Sequence, residues 1–166
     1  GSLNSKSSWF MSAFQRNTQA NSIVNAELLD PSGQSYNFSQ AVSNPQSRLD
    51  LSPRLDLQIT PNNTLTIRYM YDRVKNTNDG VSQFALSTQG YNTLNEEQTL
   101  QMSDTQVLGA HVINETRFQY IRDRDSQMPE NTTATETVQG SFTGGGNNTG
   151  TSRDSQDHYE LQNYTT

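Results

Sequence analysis

From Arg48 to Thr60 apolar and polar side chains alternate at every position, and that alternation limits the possible folds more than any other feature of the chain. One set holds Leu49, Leu51, Pro53, Leu55, Leu57 and Ile59; the other holds Arg48, Asp50, Ser52, Arg54, Asp56, Gln58 and Thr60. A period of two sends the two sets to opposite faces of a β-strand. Pro53 lacks a ladder donor, so it is expected at an edge or a bulge. After Pro61-Asn62-Asn63 the chain returns from Thr64 to Val74. Leu65, Ile67, Tyr69 and Tyr71 then share one face, with Thr66, Arg68, Met70 and Asp72 on the other. Two alternating runs about a tight turn make a β-hairpin.

A second, less regular hairpin follows. Residues 94–108 lead to a turn near Gly109-Ala110-His111, and 114–125 return with Thr116, Phe118 and Tyr120 on one face and Glu115, Arg117, Gln119 and Asp123 on the other. Ile121 falls on the polar side. Flanking runs at 8–17 (Trp9, Phe10, Met11, Phe14) and 157–166 (Tyr159, Leu161, Tyr164) complete six strands. The predicted set is 8–17, 48–60, 64–74, 94–108, 114–125 and 157–166, in one all-β unit spanning 1–166. Long loops are expected at 18–47, 75–93 and 126–156. Apolar positions do not recur at three- and four-residue spacing, which argues against helices.

Long and short connections alternate along the chain. In an antiparallel up-and-down meander this gathers the long loops at one end of the sheet and the short turns at the other. Outer-membrane β-barrels share that asymmetry, with apolar side chains facing lipid and polar ones facing the lumen. A polar interior also accounts for a composition of only 30% hydrophobic residues, with a mean hydropathy of −0.85. Disorder would suit that composition, but 7 Tyr, 6 Phe and strict alternation oppose it. A soluble sandwich with one polar face would have shorter, more even connections.

No residue pattern points to catalysis, a cofactor or a metal. The net charge of −6 disfavours nucleic acid as a partner. The absence of cysteine removes disulfides, thiol chemistry and Cys-ligated zinc. His111 and His158 have no neighbours at ligand spacing. The Gly144-Gly145-Gly146 run lacks the Lys-Ser/Thr of a phosphate loop. Asn76-Thr77-Asn78-Asp79-Gly80 lacks the twelfth-position Glu of a calcium loop. The sequons at Asn37, Asn62, Asn114, Asn131, Asn147 and Asn163 reflect an Asn- and Thr-rich composition. What remains is a pair of faces. Leu49, Leu51, Leu55, Leu57, Ile59, Leu65, Ile67, Tyr69 and Tyr71 are expected to meet lipid or an assembly partner. Arg54, Asp56, Arg68, Asp72, Arg117 and Asp123 are expected to face a lumen or solvent.

Several segments resemble the barrel of TonB-dependent outer-membrane receptors, in particular the Oar-like branch. They include Ser8-Trp9-Phe10-Met11, Leu51-Ser52-Pro53-Arg54-Leu55-Asp56, Asn62-Asn63-Thr64-Leu65-Thr66-Ile67-Arg68-Tyr69, Tyr91-Asn92-Thr93-Leu94-Asn95-Glu96 and Asn114-Glu115-Thr116-Arg117-Phe118-Gln119-Tyr120. Complete receptors of this kind resemble a barrel of about 22 strands closed around a plug. The chain carries about six strands and no plug-like domain, so the resemblance implies an interior slice of such a barrel. The implied partners are the rest of the barrel and plug, outer-membrane lipid, and TonB through the full-length receptor. The implied place is the bacterial outer membrane or cell surface. The alternative is an autonomous or released β-protein, extracellular, whose open edges pair with copies of itself in a filament or oligomer.

Overall fold

The computed structural model describes residues 1–166, the side chain of Leu3 excepted. Strand β1 (Ser2–Asn4) turns tightly into β2 (Ser7–Thr18). A hairpin of β3 (Asn21–Leu29) and β4 (Ser35–Ser43) leads to β5 (Gln46–Thr60), β6 (Asn63–Asp79), a 3-10 turn at Ser87–Gln89, β7 (Tyr91–Leu108) and β8 (Val112–Pro129). A small hairpin of β9 (Thr135–Val138) and β10 (Phe142–Gly145) precedes β11 (Ser152–Thr165). The main sheet runs β1-β2-β5-β6-β7-β8-β11, antiparallel throughout. It is an all-β up-and-down meander of six long strands, with β1 on one edge. Short turns follow β1, β5 and β7; long excursions follow β2, β6 and β8. All three excursions therefore leave from the same end of the sheet.

The strands outrun their apolar alternation. β6 continues five residues beyond Val74, to Asp79, and β8 continues to Pro129 through Ser126, Gln127 and Met128. The expected loop 75–93 accordingly shrinks to 80–90. Hydrogen bonding along a ladder is indifferent to side-chain polarity, so the strands continue as long as their neighbours do. The expected loops 18–47 and 126–156 are not structureless either, since each contains a hairpin. Pro53 lies at no edge. β5 is flanked on both sides, its pairing with β2 is continuous, and its ladder with β6 is interrupted between Leu51 and Arg54.

The packed core lies away from the main sheet. Val24, Ala26, Val42 and Val81 are buried, and Leu28, Phe38, Leu86 and Phe142 pack against them. These residues come from all three excursions, which are also stitched together by backbone bonds. Asn25 N–H donates to Gln83 O (2.8 Å), Leu86 N–H to Thr143 O (2.9 Å) and Thr143 N–H to Phe84 O (2.7 Å). The buried Gln89 amide donates to the carbonyls of Gly144 (2.7 Å) and Gly146 (2.9 Å), while Asn147 Nδ2 donates to Gln89 O. Gly145 (φ +70°) and Gly146 let the chain pass close against Thr133 and Ala134, because a Cβ on either would run into the carbonyl oxygens of Ala134 or Thr133. At the β3–β4 turn Asp30 caps the chain, accepting from Ser32 Oγ (2.6 Å) and from the N–H groups of Ser32 (2.8 Å) and Gln34 (2.9 Å). The Ser32 hydroxyl, followed by the Gln34 N–H, holds its carboxyl below the usual range.

Candidate functional site

Residues paired directly across an antiparallel ladder point to the same side of the sheet, so the register sorts every strand residue onto one of two faces. On the first face two rows are apolar across all six strands. Trp9, Leu55, Ile67, Met102, Phe118 and Leu161 form one; Met11, Pro53, Tyr69, Leu100, Tyr120 and Tyr159 form the other. On β5 and β6 the band extends further, through Leu57 opposite Leu65 and Leu51 opposite Tyr71. Leu49 lies on this face but opposite Arg73, at the border of the band, and Ile59 sits in the irregular register before the Pro61 turn. Among the described residues no other element covers this face. Leu161 is 73% exposed, Tyr159 67% and Met11 53%.

The edge of the band nearest the long loops is built from tyrosines. Tyr71 OH donates to Glu96 (2.7 Å), Tyr69 OH to Gln98 (3.1 Å) and Tyr120 OH to Asp157 (2.7 Å), while Tyr120 and Tyr159 stack with centroids 4.7 Å apart. Beyond them the same face turns charged. Arg73 approaches Glu96 (3.7 Å), and Arg124 Nη2 donates to Asp157 (2.8 Å). Rings on the apolar side with hydroxyls on the polar side match the aromatic girdle of a membrane-spanning strand.

The second face is polar, and the register gathers there Arg54, Asp56, Arg68, Asp72, Arg117 and Asp123. Arg54 lies directly opposite Arg68. Asp56 is in line with Thr66, Ser103 and Arg117, and Asp72 is in line with Asp50, Glu97 and Asp123. Two zones result. Towards the short turns Arg54, Arg68 and Arg117 are interleaved with Asp56, Glu115 and Glu160; towards the long loops the carboxylates Asp50, Asp72, Glu97 and Asp123 outnumber Arg48. A neutral row of Ser12, Ser52, Met70, Thr99, Ile121 and His158 separates the two zones, with Thr99 only 2% exposed. Phe10 and Phe14 also point to this side, so the aromatic cluster of the first strand is divided between the faces.

Most of these charges are neutralised within the wall. Arg48 bridges Asp50 (3.1 Å) and Asp72 (2.8 Å), Arg54 is forked onto Asp56 (2.9 Å), and Arg117 is forked onto Glu115 (2.8 Å). Water screens such half-exposed pairs, so they add little to stability. Below the neutral row the polar face encloses a hollow of about 580 Å³ lined by Arg54, Arg68, Gln101, Arg117, Gln119 and Glu160, among others. Among the described residues no group of three or more His, Asp or Glu side chains is arranged to hold a metal.

Several contributors are invisible to hydrophobic patterning. Glu97 in the acidic row and Gln101 and Gln119 in the hollow sit on polar positions like any others. Only the register, a constant sum of paired residue numbers once each turn is placed, assigns them their neighbours. Gln89 and Asn147 carry no sequence signal at all.

The family model for an outer membrane beta barrel domain matches residues 7–164. Comparison with curated proteins and with solved structures gives no match. The matched span takes in all six long strands and all three excursions, and the two-faced sheet with its aromatic edge is the wall such a domain requires. The chain therefore belongs to the outer membrane beta barrel domain family, and its place is the bacterial outer membrane.

Proposed function

We propose that this chain is a stretch of barrel wall from a TonB-dependent outer-membrane receptor of the Oar-like branch, a non-catalytic component of solute transport. The observation that supports this most is the pair of uninterrupted apolar rows edged by hydrogen-bonded tyrosines, on a face left uncovered among the described residues. Lipid covers that face, the polar face lines the lumen, and the packed excursions stand on the cell surface. The remainder of the barrel and a plug complete the structure, and TonB supplies the energy coupling.

Scanning with single cysteines tests the wall, and the chain's lack of cysteine makes each introduced thiol unique within it. In outer-membrane vesicles, cysteines at 54, 68 and 101 should react with a water-soluble maleimide, while those at 55, 67 and 102 should be shielded and quenched by lipid-borne nitroxide. Equal labelling of the two sets would reject a membrane wall. Loss of uptake on disrupting TonB tests the receptor assignment. Filaments of the purified polypeptide by electron microscopy, grown without lipid, would instead favour self-assembly through the open β11 edge.

A further inference from the structure

Two charges in the polar hollow have no opposite charge to neutralise them. Arg54 and Arg117 are occupied by Asp56 and Glu115, but among the described residues neither Arg68 nor Glu160 enters an ion pair. Glu160 receives only the side-chain amide of Gln162. The register sets both on one row, Arg68–Gln101–Gln119–Glu160, on four neighbouring strands. Three strand spacings separate the ends, about 14 Å. Between them Gln101 Nε2 donates to Gln119 Oε1 (3.2 Å). That bond leaves the Gln101 carbonyl, one of its N–H groups and both N–H groups of Gln119 unengaged.

We infer that this row binds a short zwitterionic peptide in extended form. Its carboxylate meets the Arg68 guanidinium, its ammonium meets the Glu160 carboxylate, and its amides meet Gln101 and Gln119. An extended peptide advances ~3.3–3.6 Å per residue, so about four residues span the two charges. Both end contacts are charge-assisted hydrogen bonds, and Arg forks naturally onto a carboxylate. The glutamine amides carry the same donor and acceptor groups as a peptide bond, so they can pair with backbone of any side-chain sequence. The inference rests on the proposal that this face is lined by water.

The test is calorimetric titration of the complete polypeptide, purified from outer membranes in detergent, with tetraalanine, its N-acetyl form, its C-terminal amide and dialanine. Tetraalanine should bind, and blocking either end should weaken it about tenfold, as expected for losing one charge-assisted contact open to water. Dialanine, too short to bridge, should bind no better than the blocked forms. In R68Q the penalty for amidation should vanish while that for acetylation persists; in E160Q the reverse should hold. Equal affinity for free and blocked peptides, no binding, or unchanged penalties in both variants would overturn the site. Maleimide labelling at position 68 separates the two failures. A water-accessible thiol with no peptide binding rejects the site and keeps the wall, whereas a lipid-shielded thiol rejects both.

Discussion

Replacing Ile67 by arginine puts the membrane assignment under its strongest strain. Ile67 lies in the row that is apolar on all six strands, paired with Leu55 on one side and Met102 on the other. Along β6 it is four residues from Tyr71, whose hydroxyl marks the polar border, and four from Asn63 at the short turn. Four residues rise ~14 Å along a strand, or about 10 Å along the membrane normal at a tilt near 45°. Ile67 therefore sits close to the middle of an apolar band ~25 Å tall. An arginine there should cost ~2–4 kcal/mol. Leu94, on the same face but level with Lys75 and Ser126, lies beyond the border. Leu94→Arg should cost only ~0–1 kcal/mol. Urea titrations of the complete polypeptide folded into phospholipid vesicles measure both. Equal costs at 67 and 94, or none at 67, would show that this face does not meet hydrocarbon.

The excursions allow three further predictions. Gly145→Ala should free the β9–β10 hairpin, since its positive φ and the Ala134 carbonyl both exclude a Cβ; limited proteolysis should then cut within 130–151 while the sheet stays intact. Gln89→Leu leaves the Gly144 and Gly146 carbonyls without their amide donor, a loss of ~1–3 kcal/mol, and should speed hydrogen exchange at Leu86 and Thr143 without altering β6 or β7. Asp30 predicts a pH dependence. Its folded pKa lies below the unfolded value, so its turn is stabilised above that value and loses the contribution as pH falls through the folded pKa. Protection of the Ser32 and Gln34 amides, measured as exchange relative to the intrinsic rate at each pH, should fall on acidification, and Asp30→Asn should flatten that response.

The sheet was legible in the sequence wherever one face must be apolar. The alternation over Leu49–Ile59 and Leu65–Tyr71 marks β5 and β6 because lipid, or any other apolar surroundings, accepts only such side chains on that side. The same rule stops working at Arg73, Gln98, Arg122 and Asp157. There the band ends while the ladders run on, so strand ends such as Lys75–Asp79 read as loop. The excursions were illegible for a different reason. Their core is small, assembled from Val24, Val42, Val81 and Phe142 across more than a hundred residues, and no local period announces contacts so distant. The two faces illustrate the same division. Period two separates Arg54 from Leu55 without any structure. That Arg54 lies opposite Arg68, that Asp72 is aligned with Glu97 and Asp123, and that Arg68 and Glu160 end one row depend on register across several turns. The sequence by itself determined which side of each strand is apolar, because that is a property of neighbouring residues. Only the tertiary structure decided which charges share a row, because hydrogen-bonded pairing brings together residues that the chain keeps far apart.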